Sequence, residues 1–323
     1  MKSAKDIKNL LNEWGKNKVP FGFIIDFEGL SPIVFPLKKV PAGIFWQTPQ
    51  SANIPEINIE EKSLQWNITP VSFEQYLTGF DRVKKHINNG DSYLLNYTQP
   101  TTVETNLSAK EIFYRSSALY KIYVENNFVC FSPESFVQIR NGRIFSYPMK
   151  GTIEAETENA AELLLKDTKE LAEHNTIVDL IRNDLSLVAD DVKVEKFRYL
   201  DLIKTNQKNL WQVSSEISGK LPENYAENIG DIIFKLLPAG SISGAPKRKT
   251  VEIIKAAENY ERGFYTGIFG IFDGTNLDSC VLIRFIDLST GKMIYKSGGG
   301  ITFMSDARKE YEEMIRKVYV PFT

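Results

Sequence analysis

Four glutamates stand out by their spacing. Glu170 and Glu173 in KELAEHNTIVDLIRNDL, and Glu310 and Glu313 in EYEE, are both i, i+3 pairs. On a helix that spacing puts the two carboxylates on one face. Brought together, the pairs would make a site of four hard oxygen ligands. Such a set suits Mg²⁺, which keeps several waters and also takes substrate oxygens. The same spacing also suits solvated faces of charged helices. Lys150, at a strand end in SYPMKGTI, reads either as a surface cation or as an activated amine. A free lysine amine titrates at about 10.4, so a mostly neutral amine at pH 7 needs a shift of ~3 units, roughly 4 kcal/mol. Burial beside a divalent cation supplies such a shift, and nearby glutamates oppose it.

Three further segments can meet an anion. Arg284 lies in the apolar run CVLIRFI, and a buried guanidinium needs a carboxylate, internal or from a substrate. The loop Pro238 to Lys247, PAGSISGAPK, precedes a helix with Pro246 near its first position. Its Gly244 and free N–H groups suit either a ligand or a structural turn. It lacks the Gly-Lys-Ser/Thr ending of a nucleotide-binding P-loop. Ser297 to Ile301, SGGGI, ends a strand. Gly298, Gly299 and Gly300 let backbone approach a ligand closely, or make a tight connector.

The elements that must hold these residues follow from periodicity. Helices are expected over 5–15, 72–88, 159–181, 229–237, 246–258 and 306–319. Strands are expected over 21–27, 31–37, 93–98, 120–124, 127–132, 136–140, 144–149, 192–197, 211–218, 264–272, 279–287 and 293–297, with a hairpin turn at Asn141-Gly142. Residues 41–69 read as irregular. Strands come in antiparallel runs, which favours one large α+β domain with helices outside packed sheets. Two halves split near 155–165 fit the same pattern.

Composition narrows the function. The chain has 323 residues, 39 Lys+Arg against 41 Asp+Glu, and 42% hydrophobic residues. That is ordinary globular make-up, without the positive charge of a broad nucleic-acid or membrane surface. Cys130 and Cys280 sit in apolar runs and read as buried strand cysteines. His86 and His174 are the only histidines, which excludes a histidine-rich zinc site. No apolar run approaches the ~18–20 residues of a membrane span, and the polar N-terminus has no signal-peptide core. A soluble cytoplasmic protein is expected.

Taken together, FSPE (131–134), PMKGT (148–152), the segments around the four glutamates, PAGSISGAPK (238–247), LDSCVLIR (277–284) and GGGI (298–301) resemble the chorismate-utilising enzymes. The similarity is densest over 128–318, and the stretch before 125 is short beside longer relatives. The resemblance implies one domain over 1–323, with two packed, mainly antiparallel sheets flanked by helices in four layers. It implies Mg²⁺ held by Glu173 and Glu313 directly and by Glu170 and Glu310 through waters. Arg284 and the Gly298–Gly300 backbone would bind a carboxylate of chorismate, with Thr152, Asn96 and Gly244 also lining the substrate.

Within that family, Lys in Pro-x-Lys-Gly-Thr marks the aminodeoxychorismate synthases, where anthranilate synthases carry Ala. Lys150 would attack C2 and expel the C4 hydroxyl, and ammonia would then displace the lysine at C4. Leu94 stands where water-adding relatives carry a lysine base. Gln212 stands where a histidine is usual, which moves proton donation to another group such as Lys247 or metal-bound water. Ile153-Glu154 replaces the usual arginine after Gly-Thr. Ammonia is expected from a separate glutaminase subunit in a heterodimer, because neither cysteine has a glutaminase context. Feedback inhibition by tryptophan is not expected. The alternatives are an anthranilate synthase component I and a weakly active chorismate-binding subunit.

Overall fold

Strand runs such as FGFII and YKIYV are buried at every position because both faces of their sheets are covered. The computed structural model describes residues 4–59, 62–203 and 209–322, and the side chains of 150, 152, 169, 203 and 210 lie outside that description. In chain order the strands are β1 (Phe21–Ile25), β2 (Ile33–Pro36), β3 (Ile44–Gln47), β4 (Trp66–Pro70), β5 (Leu94–Thr105), β6 (Tyr120–Val124), β7 (Phe128–Ser132), β8 (Ser135–Arg140), β9 (Arg143–Ser146), β10 (Met149–Glu154), β11 (Asp190–Ile203), β12 (Leu210–Lys220), β13 (Gly244–Ala245), β14 (Ile268–Phe272), β15 (Leu277–Val281), β16 (Phe285–Asp287) and β17 (Met293–Ile301). The helices are α1 (Ala4–Lys16), α2 (Phe73–Asn88), α3 (Ala109–Arg115), α4 (Ala160–Lys166), α5 (Thr168–Ser186), α6 (Ile229–Lys235), α7 (Gly240–Ser243), α8 (Lys247–Ala257) and α9 (Ala307–Arg316).

The strands form two antiparallel sheets. One has the order β10-β12-β9-β8-β15-β14-β1-β2, with β11 on the far side of β12. The other runs β13-β5-β17-β16-β7-β6-β3, with β4 beside β5. Alternate residues divide between layers, as a period of two requires. Ile24, Phe35, Trp46, Tyr120, Ile122, Phe128, Phe269 and Cys280 fill the space between the sheets. Phe21, Phe23 and Ile25 face outward to α1 and α6, while Val129, Phe131 and Tyr295 pack under α3. This is the layered α+β arrangement expected from the sequence. A one-residue slip of β6 would swap Lys121 into the inter-sheet core. In register, the Lys121 ammonium instead donates to the Phe113 and Ser116 carbonyls at the end of α3. Among the described residues no helix is long and apolar enough to cross a membrane.

Four expectations need correction. Residues 41–69 include β3 and β4, short strands whose Pro- and Asn-rich surroundings hide them. The helix expected over 159–181 is two helices. Asp167 leaves helical geometry (φ −64°, ψ 113°) and its carboxylate caps α5 by accepting from the Glu170 N–H at 2.9 Å. The strand expected over 279–287 breaks at 282–284, because β15 belongs to one sheet and β16 to the other. Arg284 is therefore in the crossover, with φ +54°, and not inside a strand. Finally, α3 was unexpected, although Ser108 and Glu111 form a capping box.

Between the sheets lies one carboxylate with no cation beside it among the described ion pairs. Asp278 is 4% exposed and accepts from Tyr120 Oη at 2.7 Å and Gln138 Nε2 at 3.2 Å. Burial raises its pKa, and these donors only partly offset the rise. An acid whose folded pKa exceeds its unfolded one gives stability that is complete below the unfolded value, about 3.9. That stability is lost as pH climbs through the folded value. Asp278→Asn keeps an acceptor for Tyr120 and turns its amide toward Thr48. It is expected to raise Tm at pH 7.5 by ~2 °C and to leave it nearly unchanged near pH 4, as paired thermal melts would read.

Candidate active site

Both glutamate pairs lie on helices; Glu310 and Glu313 face Gly299, and Glu170 faces Gly151. At α9, a Cβ on Gly299 would stand 3.4 Å from Glu310 Oε2 and 3.7 Å from Glu313 Oε1. Glycine at 299 therefore keeps the space before both carboxylates open. At Gly298 the need is stricter, since a Cβ there would come within 2.1 Å of the Tyr97 carbonyl. The three glycines are ladder residues of β17, opposite Thr98, Tyr97 and Asn96 of β5, and not a connector beyond it. Glu310 is buried, while Glu313 meets Lys317 Nζ at 2.7 Å. Lys317 also donates to the Gly298 carbonyl at 2.9 Å. Sequence reading passed over Lys317, although its i, i+4 spacing from Glu313 was a readable signal.

At α5, a Cβ on Gly151 would stand 3.1 Å from Glu170 Oε2. Gly151 has φ +77° and sits at a register shift between Lys150 and Thr152, where β10 pairs with β12. The expectations for the Lys150 and Thr152 side chains lie outside the described residues. Their backbones are placed: Lys150 is opposite Val213, and Thr152 is opposite Gln212. Gln212 is half-buried. Glu173 and His174 are both buried, and His174 Nε2 meets Ser215 Oγ at 2.7 Å. One turn after Glu170, His174 thus fastens the acidic face of α5 to β12, a role the sequence reading had not given it.

The loop over 238–247 is not an open cradle. Gly240–Ser243 form the single turn α7, and Gly244–Ala245 add to β5 opposite Leu95 and Leu94. Gly244 takes φ +134°, and a Cβ there would come within 2.0 Å of the Leu94 carbonyl. Pro246 is the N-cap of α8. Ser241 Oγ donates to Glu134 Oε1 at 2.5 Å, joining the FSPE segment to this loop. Lys247 Nζ lies 2.8 Å from Asp184 Oδ2 and 3.0 Å from the Leu236 carbonyl. Asp184 is three turns, ~16 Å along the axis, from Glu173. Lys247 therefore fastens the far end of α5 and stands apart from the glutamates.

Arg284 is brought beside the glycines. Phe285 pairs with Lys296, so the residue before it falls level with Ser297. The guanidinium lies 5.2 Å over the Tyr319 ring, its Nε is buried without a hydrogen-bond partner, and no described ion pair involves it. Asn96 Oδ1, on the neighbouring strand, is also buried without a partner. The Asn96 backbone carbonyl accepts from Arg262 Nη2 at 2.7 Å, part of a buried pair in which Arg262 meets Glu258 at 2.6 Å.

The helix α5 touches β10, β12, α7 and β13, and β13, β5 and β17 are adjacent strands. The two acidic helices thus flank one run of strands. Among the described residues no three His, Cys, Asp or Glu side chains already converge as a metal site. The donors present are hard carboxylate oxygens of the kind Mg²⁺ takes, with Glu310 and Glu313 before Gly299 and Glu170 before Gly151. Burial raises the pKa of the Cys130 and Cys280 thiols, so neither supplies a reactive thiolate.

The profile of the chorismate binding enzyme family matches residues 44–322. A Haemophilus influenzae protein named "uncharacterized PabA-like protein" is 51% identical over 313 residues, covering 96% of this chain and 94% of its own length. Anthranilate synthase component 1 of Acetivibrio thermocellus is 33% identical, over 76% of this chain and 52% of its own. Aminodeoxychorismate synthase component 1 of Bacillus subtilis is 30% identical, over 77% and 55%. Of solved structures, anthranilate synthase component I from Streptococcus pneumoniae matches with TM-score 0.66 at 27% identity, over 78% of this chain and 58% of that one. The menaquinone-specific isochorismate synthase MenF of Escherichia coli matches with TM-score 0.74 at 15% identity, over 98% and 81%. At that identity MenF is a likeness of fold.

Proposed function

The chain belongs to the chorismate-binding enzyme family, and from that membership we propose that it exchanges the C4 hydroxyl of chorismate for an amino group. The observation that carries this reading is Lys150, in Pro-Met-Lys-Gly-Thr, on the strand whose Gly151 faces Glu170. Glu170, Glu173, Glu310 and Glu313 would hold Mg²⁺, which when bound neutralises the ring carboxylate. Arg284 and the Gly298–Gly300 backbone take the enolpyruvyl carboxylate.

The Lys150 amine then forms a bond to C2 as the ring double bonds shift and the bond from C4 to its hydroxyl oxygen breaks. That oxygen leaves as water after taking a proton. Ammonia bonds to C4, the double bonds shift back and the C2–Nζ bond breaks. The sum is chorismate plus ammonia giving 4-amino-4-deoxychorismate plus water. Two displacements by good nucleophiles replace one difficult one. Leu94, buried at the start of β5, cannot deprotonate water, which disfavours hydration of the ring. Ammonia would come from a separate glutaminase chain, and the product would serve synthesis of p-aminobenzoate and folate.

Similarity to an anthranilate synthase component 1 supports a rival reading, amination at C2 with loss of pyruvate. Chorismate, Mg²⁺ and an ammonium salt separate the readings by mass spectrometry. The expected product carries nitrogen in place of the hydroxyl and retains the enolpyruvyl group. Anthranilate with free pyruvate would establish the rival. Binding without turnover would mark a chorismate-binding subunit, the reading that Gln212 in place of the usual histidine keeps open.

A further inference from the structure

We propose that Lys84 is a positioning residue that fixes the junction between the glycine strand and the acidic helix α9. The junction is the four-residue loop 302–305, between Ile301 of β17 and Asp306, the N-cap of α9. Lys84, on α2, donates to three of its carbonyls: Thr302 at 3.2 Å, Phe303 at 2.5 Å and Ser305 at 3.3 Å. An ammonium has three donors, and here the loop takes all three. No described ion pair draws Lys84 elsewhere.

The loop has little else to hold it. Its other hydrogen bonds are internal: Thr302 N to Ser305 Oγ, Met304 N to Thr302 Oγ1, and Ser305 N to Thr302 O. Its two apolar side chains face solvent, Phe303 at 71% exposure and Met304 at 59%. Apolar burial therefore does not seat the backbone. Lys84 does, through bonds to a charged donor that are stronger than neutral ones.

What the loop positions is Glu310. The first turn of α9 begins at residue 307, and the Glu310 N–H bonds to the Asp306 carbonyl. Further along, Tyr311 Oη donates to the Val71 carbonyl and its ring meets Phe73 and Tyr76. The helix body, with Glu313, is thus seated independently. Lys84 governs the loop, the first turn and Glu310. Arginine cannot replace it, because a planar guanidinium cannot aim three donors at three converging carbonyls.

The test compares Lys84→Met and Lys84→Arg with the wild type. Amide hydrogen exchange without ligand should be about tenfold faster over 302–310 in both variants, and unchanged over 311–316. Mg²⁺ affinity, read by calorimetry, should fall about fivefold, while kcat at saturating Mg²⁺ stays within about twofold. Unchanged exchange, or wild-type behaviour of Lys84→Arg, overturns the proposal. So does faster exchange with unaltered Mg²⁺ affinity. The Mg²⁺ arm rests on the proposed reaction. The exchange arm does not, so a wild type that makes no amino product would overturn the function and leave the loop assignment standing.

Discussion

Lys150→Ala is expected to lower formation of the C4-amino product by about 10³-fold or more, the scale of losing a covalent nucleophile. The loss should fall on kcat. Chorismate affinity should stay within a few-fold, because in the proposed reaction Arg284, the glycine strand and the glutamates would carry the binding. The reason is regiochemical. Ammonia must end on C4, the carbon that the hydroxyl leaves. A direct displacement there has no assistance from the chain, whereas attack at C2 expels the hydroxyl through the conjugated double bonds. A lysine bonded at C2 also blocks that carbon. With alanine at 150, ammonia can reach C2, and the residual product should shift toward 2-amination. Mass spectrometry with isotopically labelled ammonia reads both effects. An undiminished C4 rate in Lys150→Ala would sink the covalent route. The wild-type rate should also rise with pH, since the attacking amine must be neutral.

How much of this was legible before the fold was known depended on whether the signal was local. Both glutamate pairs sit on helices because i, i+3 spacing is a property of the segment itself. The break at Asp167 was equally local, with a cap residue followed by Glu170 three positions on. It was masked by the Ala- and Leu-rich periodicity running through it. Arg284 was harder. In CVLIRFI every residue is apolar except the arginine, because both sheets bury both faces there. A run without alternation cannot reveal that the chain leaves one sheet and joins the other. A positive φ at an arginine has no residue-type signature either. Lys84 was invisible for a third reason: its three acceptors are main-chain carbonyls more than two hundred residues away. Lys247 looked free for chemistry because its partner, Asp184, is brought to it by α5 and not by the sequence.

Replacing Arg284 by methionine should separate a ligand-binding arginine from a structural one, because the two roles predict opposite changes in stability. A buried charge that meets an internal carboxylate is missed when removed, since its partner is left uncompensated at a cost of ~3–5 kcal/mol. Arg284 has no such partner among the described residues. Its Nε is buried without an acceptor, and its guanidinium lies over the Tyr319 ring. In the ligand-free protein the guanidinium, half-buried and with no carboxylate beside it among the described ion pairs, is a partly desolvated cation. Methionine fills a similar volume without that penalty, so Tm is expected to rise by ~1–3 °C. Chorismate affinity should fall by about 10²-fold or more, the loss expected when a desolvated carboxylate loses a hydrogen-bonded cation. Calorimetry with chorismate and a thermal melt on the same preparation read both quantities. A lower Tm with unchanged affinity would mean that the arginine's anion is internal, and the carboxylate subsite would then have to lie elsewhere. A higher Tm with lost affinity is the signature of a group kept at the expense of stability because the substrate completes it.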